Sequence, residues 1–269
     1  MPQDQKRHLG ERIVRILMVL SVGIVLACTV SIVGTVLVRG IRTFSWDLIP
    51  WAALAGSLYI VIPAAVLGAF ISVPVVFYIT MYRKRSDPVS YIARLAYDIL
   101  YGIPGIVYGA FAFSLMVYAG MRASVLGGIL VTVLLIIPIM IRSGDEIARN
   151  VPDELIEAVY SLGATRWETL KVILLQILPG MTTAFLLAIG RAIGEAAAVM
   201  FTAGFSDTVP QSPTDPAATL PMAVFSWISM PEPFPDKAYA AALILTVIVL
   251  FLSLGARWLS RRFTQNNLS

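Results

Sequence analysis

The sequence predicts an all-α protein that crosses a membrane six times, and three observations lead to that prediction. Hydrophobic residues make up 58% of the 269-residue chain and charged residues 13%, whereas about 25% of a typical soluble domain is charged. The apolar residues form runs as long as the roughly 20 residues that a spanning helix needs. The alternating pattern of a membrane barrel is missing from these runs. Because only helices and closed barrels satisfy their backbone in lipid, a bundle of spanning helices is predicted.

Six spans can be placed in chain order. Their predicted bounds are 13–38, 54–82, 99–119, 124–141, 177–203 and 239–259. Residues 87–98 are expected to lie at the membrane interface, because Arg94 interrupts their apolar pattern. One membrane domain is therefore expected over residues 13–260, with polar tails at 1–12 and 261–269.

Basic residues set the predicted orientation. With the N-terminus in the cytoplasm, fifteen of the twenty Lys and Arg residues fall on the cytoplasmic side and four outside, while Arg191 lies within the fifth span. The run Arg83-Lys84-Arg85 after the second span belongs to the fifteen. An excess of basic residues marks cytoplasmic loops. Both termini and the loop between the fourth and fifth spans are therefore predicted to be cytoplasmic.

That loop, at residues 142–171, is the longest charged interruption, with ten charged residues among thirty. Pro152 followed by Asp153 and Glu154 predicts a helix start, because Pro suits the first turn and acids there complement the helix dipole. Apolar residues at i, i+4 and i+7 predict a stripe along this helix, formed by Leu155, Val159 and Leu162.

A glycine turn and a second helix are predicted to follow. Gly163 stands just past the cap of the first helix, where a residue in the left-handed conformation ends many helices. Thr165 and Glu168 have the spacing of a capping box, which would start the helix leading into the fifth span. The pattern fits a solvated surface hairpin and also a docking element for a partner.

Two ionisable residues lie inside the predicted fifth span, in the stretch Gly190-Arg191-Ala192-Ile193-Gly194-Glu195. Arg191 and Glu195 are four residues apart, so we expect them to share a helix face and to pair. Gly190 and Gly194 would permit a close helix approach. The pair fits a structural lock between helices or a gate in a solute path. Arg suits an oxyanion, because its planar fork matches phosphate or carboxylate geometry.

Glycine and proline are concentrated in residues 97–109, at the start of the predicted third span. This composition, which includes Tyr101 and Pro104, predicts tight packing and a locally irregular helix. The outer loop at residues 204–237 is rich in proline and acidic residues and is predicted to be mostly a solvated connector. A short interfacial helix is predicted within it, around Met222, Phe225 and Trp227.

The charged loop resembles the EAA loop of ATP-binding-cassette (ABC) importer permeases. The family pattern is E-A-A, three residues, G, nine residues, I, one residue and L-P. This chain matches it at Glu157, Ala158, Gly163, Ile173 and Leu175 and departs from it at Val159 and Gln176. The resemblance implies the type I importer permease fold, with a coupling loop at about 142–176 that sits in a groove of a cytoplasmic ATPase. The residues implied in that contact are Glu157, Ala158, Gly163, Ala164, Arg166 and Trp167.

Residues 97–109, the R-A-I-G-E stretch and Thr219-Leu220-Pro221 resemble the phosphate-specific branch of these permeases, and within it the PstA type of subunit. The resemblance implies import of inorganic phosphate by alternating access, across the cytoplasmic membrane of a prokaryote. It implies pathway or gate roles for Tyr101, Pro104, Arg191 and Glu195. The implied partners are a PstC-like permease, a PstB-like ATPase dimer that carries ATP and Mg²⁺, and a PstS-like extracytoplasmic phosphate-binding protein.

Other functions stay open at this point. The chain has no G-x-x-x-x-G-K-[ST] stretch, so we expect ATP hydrolysis in a separate subunit and no enzyme activity or cofactor here. With one Cys and one His, a metal site is not expected either. The alternatives are a PstC-type subunit, a permease for molybdate or sulfate, a stand-alone secondary transporter, and an intramembrane enzyme that uses Glu195 or Asp98.

Overall fold

The computed structural model describes residues 2–82 and 87–266. These residues form ten α-helices and no strand: α1 (Pro2–Thr43), α2 (Trp51–Phe77), α3 (Pro88–Gly102), α4 (Gly105–Tyr118), α5 (Val125–Arg149), α6 (Asp153–Ser161), α7 (Arg166–Ile193), α8 (Ala197–Thr202), α9 (Leu220–Trp227) and α10 (Phe234–Asn266). A 3₁₀ turn at Trp46–Leu48 precedes α2, and a π-helical turn at Tyr78–Tyr82 extends it. The basic run Arg83-Lys84-Arg85 lies outside the described residues.

The predicted all-α, multi-span architecture is confirmed. Among the described residues, five helices are long and apolar enough to cross a membrane, or six if α3 and α4 are counted as one bent span. The five are α1, α2, α5, α7 and α10. Helix α1 begins at Pro2, so the N-terminal segment expected as a polar tail is helical.

The prediction of one continuous third span over residues 99–119 is wrong, because α3 and α4 meet at an angle of 102°. Pro104 has no backbone N–H and disfavours the helical conformation in the residue before it. Ile103 is accordingly extended, with φ −71° and ψ 130°. The irregularity predicted for this stretch is a sharp bend.

The fifth span also differs from its prediction over residues 177–203. Helix α7 ends at Ile193 with Gly194 as its cap, and the short helix α8 follows after a break. The break contains a single charged residue, Glu195, between two apolar stretches, and hydropathy averaged over a span does not reveal it. At the other end, α5 runs past the predicted limit of residue 141 to Arg149, because Ile141 and Ala148 are still buried. The first charged residues of the predicted loop therefore lie on a helix.

Helix α5 forms the centre of the bundle. Fully buried Ile136 on α5 packs in one apolar cluster with Ala64 on α2 and Ala192 on α7. A second cluster, nearer the start of α5, joins Ile60 on α2 to Val131 on α5. Helix α1 lies at the periphery, with its apolar surface exposed.

The segment between α8 and α9 is partly packed on the bundle: Ala217 and Ala218 are buried, although Pro213, Thr214 and Pro216 are exposed as the connector prediction expects. Two of its carbonyls and one of α8 accept hydrogen bonds of 2.9 Å from the start of α5: Thr202 from Ser124, Asp215 from Val125, and Pro213 from Leu126. They satisfy N–H groups that a helix start leaves without partners. Helix α9, predicted around Met222, is confirmed as a helix.

Candidate functional site

The α6–α7 turn has the geometry that its sequence predicts. Gly163 adopts φ +80° just past the end of α6. Its N–H donates to the Tyr160 carbonyl at 2.9 Å, and the Ala164 N–H donates to the Val159 carbonyl at 3.4 Å. This pair of bonds is the Schellman motif. A side chain at Gly163 would be strained in this conformation, because L residues rarely adopt it.

The capping box at the start of α7 is confirmed as well. The Thr165 N–H donates to Glu168 Oε2 at 2.8 Å, and the Glu168 N–H donates to Thr165 Oγ1 at 3.4 Å. Both ends of the turn are thus fixed by local hydrogen bonds. The turn is a preformed element rather than a flexible connection.

The residues predicted to contact an ATPase surround this turn. Glu157, Ala158, Arg166 and Trp167 are exposed, and Ala164 is half-buried. The predicted apolar stripe is wrong at its last member, since Leu162 caps α6 and is 88% exposed. Leu155 and Ile156 instead pack against the body of the protein. The outward face of the turn therefore presents apolar side chains together with charged ones.

One apolar cluster attaches the turn to the bundle. It contains Val151 from the α5–α6 connection, Ile173 and Ile177 from α7, and Tyr97 from α3. Ile173 is one of the residues that carry the EAA resemblance, and it is fully buried. A displacement of α6 would therefore act directly on α3, α5 and α7.

A cleft of about 670 Å³ lies between α3, α5 and α7. Its polar lining includes Ser143, Thr183, Glu146 and Ser260 as well as two arginines, Arg142 and Arg191. We call it the arginine cleft. It is the place where the structure brings the predicted pathway residues Tyr101 and Arg191 together.

The guanidinium groups of Arg142 and Arg191 both lie close to the Tyr101 ring in the arginine cleft. The Arg142 guanidinium carbon lies 4.5 Å from the ring centroid and that of Arg191 lies 5.8 Å from it. Both distances fall within the range of cation–π attraction. Arg142 also approaches Asp98 at 3.5 Å. In the part of the chain that the structure describes, Arg191 forms no ion pair.

The predicted Arg191–Glu195 pair does not form, because α7 ends between the two residues. Glu195 turns away from Arg191 and accepts a hydrogen bond from the Ala198 N–H of α8 at 3.4 Å. A Cβ at Gly105 would lie 2.5 Å from Glu195 Oε1, so this carboxylate packs directly on the start of α4. The close approach expected at Gly190 is likewise absent within the described residues.

Pro104 lies at the bend between α3 and α4, as the cap of α4, rather than in the lining of the arginine cleft. Its effect on the cleft is indirect. The bend ends α3 immediately after Tyr101 and turns α4 towards Glu195 and α8.

Sequence reasoning missed two features of this region. Arg142 was assigned to a loop, although it lines the cleft from the last turns of α5. Asp145 was counted as one charge among ten, although it is completely buried. The i,i+4 spacing of Asp145 and Arg149 inside a run that continues an apolar helix was the available signal.

The fold defines the class: a multi-pass helical membrane protein with a preformed, exposed turn between α6 and α7. Comparison with known proteins agrees with that class. Residues 72–265 match the family model described as binding-protein-dependent transport system inner membrane component. The chain belongs to this family.

Several individual members of the family are similar to most of this chain. The phosphate transport system permease protein PstA of Yersinia pestis is 33% identical over 207 residues, covering 76% of this chain and 70% of the relative. PstA 1 of Mycobacterium tuberculosis H37Rv is 34% identical over 208 residues, covering 76% and 67%. The probable ABC transporter permease protein YqgI of Bacillus subtilis is 29% identical over 271 residues, covering 89% and 91%.

A solved structure confirms the fold. A chain of the MetNI methionine ABC transporter, in inward-facing conformations, superposes with a TM-score of 0.65 at 17% identity. The match covers 81% of this chain and 99% of the other. The predicted ABC importer permease fold is therefore confirmed.

Proposed function

We propose that this chain is a membrane-spanning subunit of an ATP-driven importer of inorganic phosphate. The 33–34% identity to PstA proteins supports the choice of solute. The observation that carries the proposal is the arginine cleft, where Arg142 and Arg191 both lie beside the Tyr101 ring.

The cleft offers a site for a tetrahedral oxyanion. Both guanidinium groups lie beside one ring, so an anion bound near that ring is attracted by two positive charges. Each guanidinium presents a fork of donors that suits phosphate. The Ser143 hydroxyl adds a neutral donor to the lining, and Thr183 Oγ1, which donates to the Pro179 carbonyl at 3.0 Å, adds a polar atom from α7. The single acid among the cleft residues, Glu146, can accept a hydrogen bond from the P–OH group of a monoprotonated phosphate.

The α6–α7 turn is the proposed contact with the ATPase. Its rigidity suits transmission of force, and its exposed Trp167 is the type of side chain that anchors an interface. In this assignment the turn and both termini are cytoplasmic. ATP and Mg²⁺ bind to a PstB-like ATPase dimer, and closure of that dimer displaces α6.

The remaining partners follow from the same assignment. A PstC-like permease completes the membrane unit, and a PstS-like protein delivers phosphate at the outer face. Alternating access of the cleft then moves phosphate inwards. This chain makes and breaks no covalent bond.

Competition for uptake tests the choice of solute. The complete complex is reconstituted with ATP in the vesicle lumen and the binding protein with radiolabelled phosphate outside. Unlabelled phosphate is expected to suppress uptake, whereas sulfate and molybdate at the same concentration leave it unchanged. Uptake of labelled sulfate or molybdate in preference to phosphate would contradict the proposal.

A further inference from the structure

Asp145 near the end of α5 forms a buried network whose role the transport cycle described so far does not assign. Its side chain has no solvent exposure. Oδ2 accepts from Arg94 Nε at 3.0 Å, from the Tyr97 hydroxyl at 2.6 Å and from Arg149 Nη2 at 2.7 Å, and Oδ1 accepts from Arg94 Nη2 at 3.1 Å. We call these four residues the Asp145 network.

The network joins two helices at a fixed orientation. Arg94 and Tyr97 lie on α3, while Asp145 and Arg149 lie on α5. Apolar side chains in contact can slide past one another. The bidentate hydrogen bond from Arg94 to Asp145 instead fixes both the distance and the angle between the two helices at this point. The buried carboxylate resists separation of the two helices, because separation would break all three bonds from α3 and leave the charge with Arg149 alone.

The position of the network connects the α6–α7 turn to the arginine cleft. Asp145 precedes the first residue of α6 by eight positions, and Val151 between them packs in the same apolar cluster as Tyr97. On α3, Tyr97 precedes Tyr101 by one helical turn. The Tyr101 ring contacts the guanidinium groups of Arg142 and Arg191 in the cleft. Asp145 therefore lies midway along a continuous set of contacts between the two sites.

We propose that the Asp145 network makes α3 and the end of α5 a single rigid body, so that displacement of α6 moves Tyr101 and opens or closes the arginine cleft. Asp145, Arg94 and Tyr97 are positioning residues in this scheme and do not contact the solute. The inference rests on the proposed function, since it assigns the step that connects ATP use to phosphate movement.

The test measures phosphate transported per ATP hydrolysed by the reconstituted complex. Asp145→Asn keeps the size of the side chain and removes its charge. We expect it to lower this ratio about 2- to 30-fold, the range of energetic coupling between sites, while ATP hydrolysis continues. Asp87→Asn is the matched control, because Asp87 is the N-cap of α3 and Asn also suits an N-cap. The phosphate transported per ATP by this variant should equal that of the wild type.

Tyr97→Phe provides a milder variant in case Asp145→Asn does not assemble. It removes one hydrogen bond and leaves the Arg94–Asp145 bonds in place, so a smaller decrease in the same ratio is expected. A wild-type ratio in an assembled Asp145→Asn complex, or in Tyr97→Phe if the first does not assemble, would overturn the inference. Absence of phosphate uptake in the wild-type complex would instead contradict the proposed function.

A distance measurement adds a readout that loss of stability would not reproduce. Cys28 is the one cysteine of the chain, so Cys28→Ser gives a background for spin labels at two exposed positions, Ile92 on α3 and Glu154 on α6. With the network intact, the distance between the labels should stay the same when ATP binds. In Asp145→Asn it should change or broaden. A change of equal size with the network intact would show that α3 and α6 move separately.

Discussion

Two guanidinium groups lie beside one tyrosine ring in the arginine cleft, and in the described residues Asp98 pairs with Arg142 while Arg191 forms no ion pair. Arg191 comes from the last turn of α7 and Arg142 from the last turns of α5, so three helices must be in register to build the site. An anion that binds there gains from both charges. The affinity of the cleft for an anion therefore depends on the relative positions of the helices, as alternating access requires.

The first prediction concerns Arg191→Gln. This change removes one charged donor from the cleft, and a hydrogen bond to a charged group contributes about 1.5–3 kcal/mol. We expect phosphate uptake by the reconstituted complex to fall by about tenfold or more, with normal membrane insertion and assembly. Arg122→Gln, on the exposed turn between α4 and α5, is the matched control and should transport at the wild-type rate. Wild-type uptake in Arg191→Gln would assign Arg191 a purely structural role.

At this scale the sequence draws attention to a residue that is unusual in its surroundings. Arg191 stands out because a charge inside an apolar run is costly and therefore informative. Its supposed partner Glu195 was assigned wrongly, because the i,i+4 rule applies only while the helix continues. Arg142 and Asp145 were not recognised, because a charge in a segment taken for a loop carries no such cost.

At the scale of the element, the α6–α7 turn is the part of the fold that local sequence specifies best. The end of α6 at Gly163 and the start of α7 at Thr165 are both fixed by hydrogen bonds between residues that are close in the chain. The broken helices are different. Helix α7 ends at Ile193, and Glu195 just beyond that end packs on Gly105 of α4. This contact joins segments that are far apart in the chain, so the hydrophobic periodicity of the sequence does not predict it.

The second prediction concerns the turn itself. Gly163→Val places a β-branched residue at φ +80°, where a left-handed backbone costs about 1–2 kcal/mol. The turn should change shape, and phosphate transported per ATP should fall while the chain still inserts. Gly120→Val introduces a similar strain, at φ +67°, in the α4–α5 turn and serves as the control with normal coupling. Equal effects of the two substitutions would indicate general destabilisation rather than a role in docking.

For the whole molecule, composition and hydropathy were sufficient to predict an all-α membrane bundle. They could not predict how the segment after α8 folds back to cap α5, because those bonds join residues about 90 positions apart in the chain. Orientation rests on the distribution of basic residues alone, and it determines which face meets the ATPase.

The third prediction is the orientation. In a Cys28→Ser background, Tyr118→Cys lies at the end of α4 at a position that is 94% exposed, and Leu162→Cys lies at the α6–α7 turn at a position that is 88% exposed. A membrane-impermeant maleimide should label the first in intact cells and the second only after the cells are permeabilised. The reverse pattern would place the turn outside and exclude a cytoplasmic ATPase as its partner.

The central claim is that the α6–α7 turn receives force from a separate ATPase. Its most direct test compares phosphate accumulation by vesicles that contain both permeases with and without the ATPase, with ATP in the lumen and the binding protein outside. Accumulation is predicted only when the ATPase is present, and the ATPase should co-purify with the wild-type chain. Equal accumulation without the ATPase would contradict the claim and identify the chain as part of a self-sufficient transporter.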